Sequence, residues 1–311
     1  MIMPDKEDVI RMTAGALALS MVFLGVFHFY QKQNTSEQLA FKASRIDLVR
    51  QMQSTLSSAS EAEKSAVLAI TDRESQTFAD QARAATAEIE KLRRELGELL
   101  KTGGTQGEKE LLNQFSEYFA EFQRVDHELL LLSVRNTNIK AYDLAFGPAS
   151  SALNEMNTAL SRLIASNAGL PEEKQFMSLA YSAQISGLRL HTLIPPHIAE
   201  EHDQKMDSLE DLMFKEDKKL RENLDNLAAL LKLNHNNDLT TAVSSYTRFT
   251  KIKTQILALS RENTNVKSLS ISLNQKRKVM LLCQDTLNGL QQAILEEPIA
   301  GVTYGHPAKP R

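Results

Sequence analysis

The feature that most constrains the fold is an internal repeat. LSVRNTNIK at Leu132–Lys140 returns as LSRENTNVK at Leu259–Lys267, an offset of 127 residues with six of nine positions identical. The match extends in pattern, since Leu112, Phe119 and Phe122 fall on Leu239, Tyr246 and Phe249. After the motif the first copy runs Tyr142, Phe146, Ala149, Leu153, Met156, Leu160, Leu163, and the same register in the second gives Leu269, Leu273, Lys276, Met280, Cys283, Leu287, Leu290. A 4-3-4-3 apolar spacing is the signature of one buried helix stripe. A period this long far exceeds a solenoid repeat, so each copy is expected to be close to a self-contained domain.

Composition narrows the class to helices. The chain has no Trp, 6% aromatics, and only 12 Gly and 8 Pro in 311 residues, whereas sandwiches and barrels need turn residues every 8 to 12 positions or so. Lys plus Arg come to 36 and Asp plus Glu to 39, a net charge of -3 that offers no surface for nucleic acid. The single Cys283 excludes an intramolecular disulfide and a cysteine metal cage and leaves the compartment open.

Twenty residues from Met12 to Gln31 carry no charge, enough helix to span the hydrocarbon layer of about 30 Å. They predict one transmembrane helix within an N-terminal segment 1–33. A cleavable signal peptide is the rival, but the run is longer than a typical apolar signal region and ends in FHFYQKQ, not at a small-residue cleavage site. Lys6 and Arg11 before it and Lys32, Lys42 and Arg45 after it leave the orientation open.

Reading the copies against each other places the helices. There is no Gly or Pro between Lys32 and Gly97, yet one helix of that length would be about 100 Å long. Pro195-Pro196 supplies a break in the second copy, and the equivalent corner in the first lies near Ile70, before the capping-box spelling Thr71-Asp72-Arg73-Glu74. The next helix ends at Lys101-Thr102-Gly103-Gly104. Gly147-Pro148 reads as a proline kink within a helix, because its counterpart is Asn274-Gln275 and the apolar stripe passes through both. Ser166-Asn167-Ala168-Gly169-Leu170-Pro171 reads as the joint between copies. The expected architecture is all-α: the transmembrane helix, then two tandem up-down-up-down four-helix bundles, 34–168 and 169–297, and a flexible tail 298–311.

The anchor, the four long helices, the aromatics Phe119 and Phe122, and a corner followed by Ala141-x-x-Leu144-x-x-Gly147-Pro148-Ala149 with its leucine heptad resemble the four-helix-bundle sensor domain of methyl-accepting chemotaxis proteins. The likeness covers about residues 35–168, with a weaker second copy to about 297. It implies a sensory protein in the plasma membrane, with a single-pass anchor and the bulk extracytoplasmic, that dimerises and takes a small-molecule ligand. No second span, HAMP segment or signalling coiled coil follows, so the chain resembles the sensory half and is expected to act through a partner signalling protein. A scaffolding bundle without ligand and a truncated chemoreceptor are the alternatives.

Sites of chemistry are sparse. Asn-Thr-Asn at 136–138 and 263–265 reads as helix caps at an exposed tip, with a ligand contact there as the rival reading. His191, His197 and His202 near Glu200 and Glu201 match no zinc or di-iron spelling and read as exposed helix residues. No nucleophile elbow or phosphate loop occurs, so no enzyme, cofactor or metal is expected. Two charges fall in core phase: Lys276, and Glu210 between Met206 and Met213, where the first copy has Ala149 and Ala82. Each lies about thirteen residues from the corner, about 20 Å along its helix. They are expected to pair, or to form with Tyr181 and Tyr246 a polar ligand pocket.

Overall fold

The structure, a computed structural model, describes residues 6–169, 171–231 and 236–299, with side chains from Thr35 onward. Among these residues the regular structure is entirely helical. Helix α1 is Lys6–Leu68, α2 Asp72–Gly103 and α3 Gln106–Ser133; α4 Thr137–Leu144 continues through a π-turn, Ala145–Ala149, into α5 Ser150–Ser166. Then come α6 Glu173–Ala199, α7 Asp203–Leu230 and α8 Asn237–Glu262, and α9 Thr264–Ile271 passes through a second π-turn, Ser272–Lys276, into α10 Arg277–Glu296. No helix among the described residues is long and apolar enough to cross a membrane; the run Met12–Gln31 falls outside the residues whose side chains are described.

The corner expected near Ile70 is present: α1 ends at Leu68, and Thr71 Oγ1 accepts from the Glu74 N–H at 3.2 Å to start α2. Its counterpart is displaced. Pro195 and Pro196 do not break α6, which runs on to Ala199 and turns at Glu200–His202. The helix also runs through Gly147-Pro148, as the unbroken stripe predicts, but as a π-turn, and the second copy makes the same turn without proline. The feature belongs to the position, not to Pro148. A π-turn inserts one residue and rotates the remainder of the helix by about 100°. The core therefore takes Ala141, Ala145 and Ala149 before Leu153 and Met156, whereas Phe146 and Leu273, both expected inside, stand 60% and 59% exposed.

The chain divides into two compact units: residues up to Ala59 with Ala84–Glu121 and those from Val279, and Ser60–Arg83 with Phe122–Lys278. In the second unit α4–α5 shares one apolar core with α6, α7 and α8, including Leu153, Met156, Phe176, Leu190, Leu220 and Phe249. Helices approach closely enough there that a Cβ on Gly187 would lie 2.9 Å from Met156 Cε. The same unit holds a smaller cluster in which Ala66 and Val67 of α1, Ala79 and Ala82 of α2 and Leu129 and Leu130 of α3 pack with Ile271 of α9. In the first unit α10 again keeps company with α1 and α3: Gln53 Nε2 donates to Asn288 Oδ1 at 2.9 Å, and a Cβ on Gly289 would touch Leu111 at 3.5 Å.

The expected bundles 34–168 and 169–297 are therefore corrected. Residues 137–262 form one contiguous four-helix bundle, and α1–α3 take their fourth helix from 264–296. The connectors give the reason. A reversal between packed helices takes a connection of about 2 to 8 residues, but only Asn263 separates α8 from α9, so the chain cannot fold back there. Six residues, 167–172, separate α5 from α6, with Gly169 at φ 79, and there it does reverse. The joint expected between domains is a hairpin inside one.

Candidate functional site

The repeated Asn-Thr-Asn motifs meet each other in the interior of the second unit. Asn136, Thr137, Asn138, Asn263 and Thr264 are all buried, so the exposed tip is corrected to a core junction. Among the described residues, Asn136 and Asn263 are the non-glycine positions with positive φ, 48° and 55°, a left-handed conformation that asparagine tolerates better than most. The first N–H groups of a helix have no partner within it. Here each motif supplies the other's: Thr137 N–H donates to Thr264 Oγ1 at 3.2 Å and Thr264 N–H to Thr137 Oγ1 at 3.1 Å, while Asn138 and Asn265 exchange N–H···Oδ1 bonds of 3.1 Å each. Asn138 Nδ2 adds bonds to Asn263 Oδ1 and to the Ile198 carbonyl, both 2.7 Å, and Asn265 Nδ2 reaches Asn136 Oδ1 at 2.9 Å. Neighbouring corners are tied in, Asn136 Nδ2 to Asp72 Oδ1 and Ser75 Oγ, Asn263 Nδ2 to the Glu200 carbonyl. The motifs are caps, as their chemistry suggests, but reciprocal ones.

The histidines separate. His202 is exposed; its N–H and ring Nδ1 meet Glu200 Oε1 at 3.0 and 2.9 Å and hold that carboxyl down to about 2. His197, expected on an exposed face, is wholly buried because α6 runs past its prolines and carries it into the core. Its Nε2 lies 2.8 Å from Glu210 Oε1 and its Nδ1 2.8 Å from Ser260 Oγ. Burial lowers the imidazole pKa against the pull of Glu210. The neutral ring fits if Nε2–H donates to Glu210 and the Ser260 hydroxyl, which also lies 3.0 Å from the His197 carbonyl, gives its single proton to Nδ1 instead. Burial pushes the Glu210 carboxyl up, but hydrogen bonds from Arg261 and His197 outweigh it and its pKa falls. Among the described residues no group of three or more His, Cys, Asp or Glu could hold a metal ion.

The predicted Glu210–Lys276 pair does not form. Glu210 bonds His197 and Arg261, the latter at 2.8 Å, whereas Lys276 reaches Asp126, lies 3.1 Å from the Phe122 ring centroid and donates to the Phe122 carbonyl at 3.4 Å. They share a level only if each closing helix stays with its own repeat, and it does not. Glu63, wholly buried in the same cluster, has its carboxyl pKa raised by burial, against the opposing pull of Ser272 and Lys276. Tyr246 is buried, but its hydroxyl donates to Asp217, which also binds Lys253 Nζ and Arg221 Nε at 2.9 Å each. Burial, then Asp217, raises the Tyr246 pKa. Tyr181 stands 47% exposed. The four expected site residues therefore do not gather in one pocket. Asp126, between Phe122 and Leu129, and Asp217, between Met213 and Leu220, were open to the core-phase test that picked out Lys276.

Glu210, Lys276 and Tyr246 are each engaged by neighbouring side chains within the fold. No curated protein matches the chain at a significant level. A family model described as a four helix bundle sensory module for signal transduction matches residues 11–175, more than half of the chain. The match takes in α2 to α5, with the paired motif's first copy and the π-turn, and the all-helical architecture agrees with it. The chain belongs to this family of four-helix-bundle sensory modules for signal transduction.

Proposed function

We propose that the protein is a membrane-anchored sensory bundle, with its helical bulk extracytoplasmic, that works as a homodimer through a partner signalling protein and has no catalytic activity of its own. The observation that carries this reading is the sensory-module match over residues 11–175, which includes the uncharged run Met12–Gln31. Such a run is long enough to span a bilayer as helix, and it falls within the range of α1, Lys6–Leu68. A ligandless scaffold is the second reading, favoured by the internal pairing of Glu210, Lys276 and Tyr246. Protease treatment of intact spheroplasts tests the topology: the proposal expects residues 40–297 to be digested from outside, and full protection would reverse it. Thermal melts across a panel of organic acids and amino acids separate sensor from scaffold, which should show no stabilisation by any of them.

A further inference from the structure

A cavity of about 480 Å³ in the first compact unit lies beside the end of α10, walled by Phe41, Lys42 and Arg45 of α1, Thr102 and Gly103 of α2, and Glu297. Its cations are unusual in being buried, Arg45 at 2% and Lys42 at 8% exposure. The Arg45 guanidinium is held firmly: Nη1 donates to the fully buried Glu108 at 2.6 Å, and its carbon stands 4.6 Å over the Phe41 ring. Its other edge is only half used. Nη2 donates to Glu297, while the buried Nε has no partner. Lys42 Nζ donates to the carbonyls of Leu295 and Glu297, both at 2.7 Å, and so ties down the chain leaving α10.

We propose that this cavity binds a small dicarboxylate and that Glu297 is a built-in occupant which the ligand displaces. The Nε–Nη2 edge of arginine presents two parallel N–H groups that match the two oxygens of one carboxylate. Glu297 satisfies one of them, and a free carboxylate seated across the edge satisfies both, removing the cost of an unmet buried donor. Against Arg45 one carboxylate replaces another, and the ligand's extra charge falls to Lys42, which now meets only carbonyls. When Glu297 leaves, the carbonyls held by Lys42 leave with it, and the freed ammonium faces the ligand's second carboxylate. Arg45 stays in place because Glu108 holds its other nitrogen. Binding is thereby converted into release of the segment after Leu295. The site stands on the geometry of this unit alone and does not depend on the topology proposed above.

The test uses the full chain in detergent micelles, titrated calorimetrically with succinate, acetate and phosphate, with amide exchange followed at residues 296, 297 and 299. Wild type is expected to bind succinate in preference to acetate and phosphate, with faster exchange at these three amides on saturation. Glu297→Gln, which removes the competing charge at a partly exposed position, is expected to tighten succinate at least tenfold. Lys42→Met should erase the preference for succinate over acetate, and Arg45→Gln should abolish binding. Should Arg45→Gln fail to fold, Glu297→Gln and the exchange readout still decide. Unchanged or weaker succinate binding by Glu297→Gln, phosphate bound as well as succinate, or unaltered exchange at saturation would each overturn the proposal.

Discussion

Buried charge is where single residues matter most in this protein. Lys276 and Asp126 are paired in the core, so Lys276→Ala alone strands a carboxylate and is expected to destabilise by about 3 to 5 kcal/mol, whereas Lys276→Met with Asp126→Leu should be neutral or stabilising. Urea unfolding of both variants checks this. An equal cost for single and double changes would mean that packing, not charge, dominates the site. His197 sets a pH dependence. Its folded pKa lies below the unfolded value of about 6.5, so the neutral ring is the form the fold prefers. Its contribution is complete above about pH 6.5 and is lost as the pH falls below that value. Glu210, with a lowered carboxyl, adds a loss of the same sign at more acid pH. The urea midpoint of wild type should therefore drop between about pH 7.5 and 5.5, and His197→Gln should flatten that drop. A midpoint in the variant that falls as steeply as in wild type would remove His197 from the account.

At the scale of elements, the two short connectors carry the architecture. Reciprocal capping by Thr137 and Thr264 predicts coupling: Thr137→Val and Thr264→Val should each cost about 1 kcal/mol, and the double variant less than their sum by a measurable interaction energy. Strict additivity in denaturant unfolding would show that each hydroxyl serves its own helix only. The corner at Thr71 was legible in the sequence because capping chemistry is local, and the π-turns were not. Nothing in Ala145–Ala149 or Ser272–Lys276 announces an extra residue per turn, and the outward placement of Phe146 and Leu273 is its consequence.

For the whole molecule, the grouping of helices gives a test by fragment. Residues 137–262 contain every residue of the larger core cluster and are expected to be helical and to melt cooperatively on their own. Residues 34–168 would expose the apolar face of α5, Leu153, Met156 and Leu160, with its partners missing, and should aggregate or melt without cooperativity. Circular dichroism and calorimetry of both fragments distinguish the outcomes, and a cooperative 34–168 fragment would restore the division at Gly169.

The helical class, the 127-residue period, the first corner, the capping chemistry of Asn-Thr-Asn, the core phase of Lys276 and the likeness to a sensory module were all legible along the chain, because each is written in local spacing or side-chain type. Which fourth helix closes which bundle was settled by packing. A repeat fixes the distance between equivalent residues but not where the period is cut, and both closing helices carry an apolar stripe in the same register, Leu153, Met156 and Leu160 or Met280, Cys283 and Leu287. The choice falls to the connectors. One left-handed asparagine cannot reverse a helix while a six-residue loop can, and that difference sets the partners of Lys276, Glu210 and Tyr246.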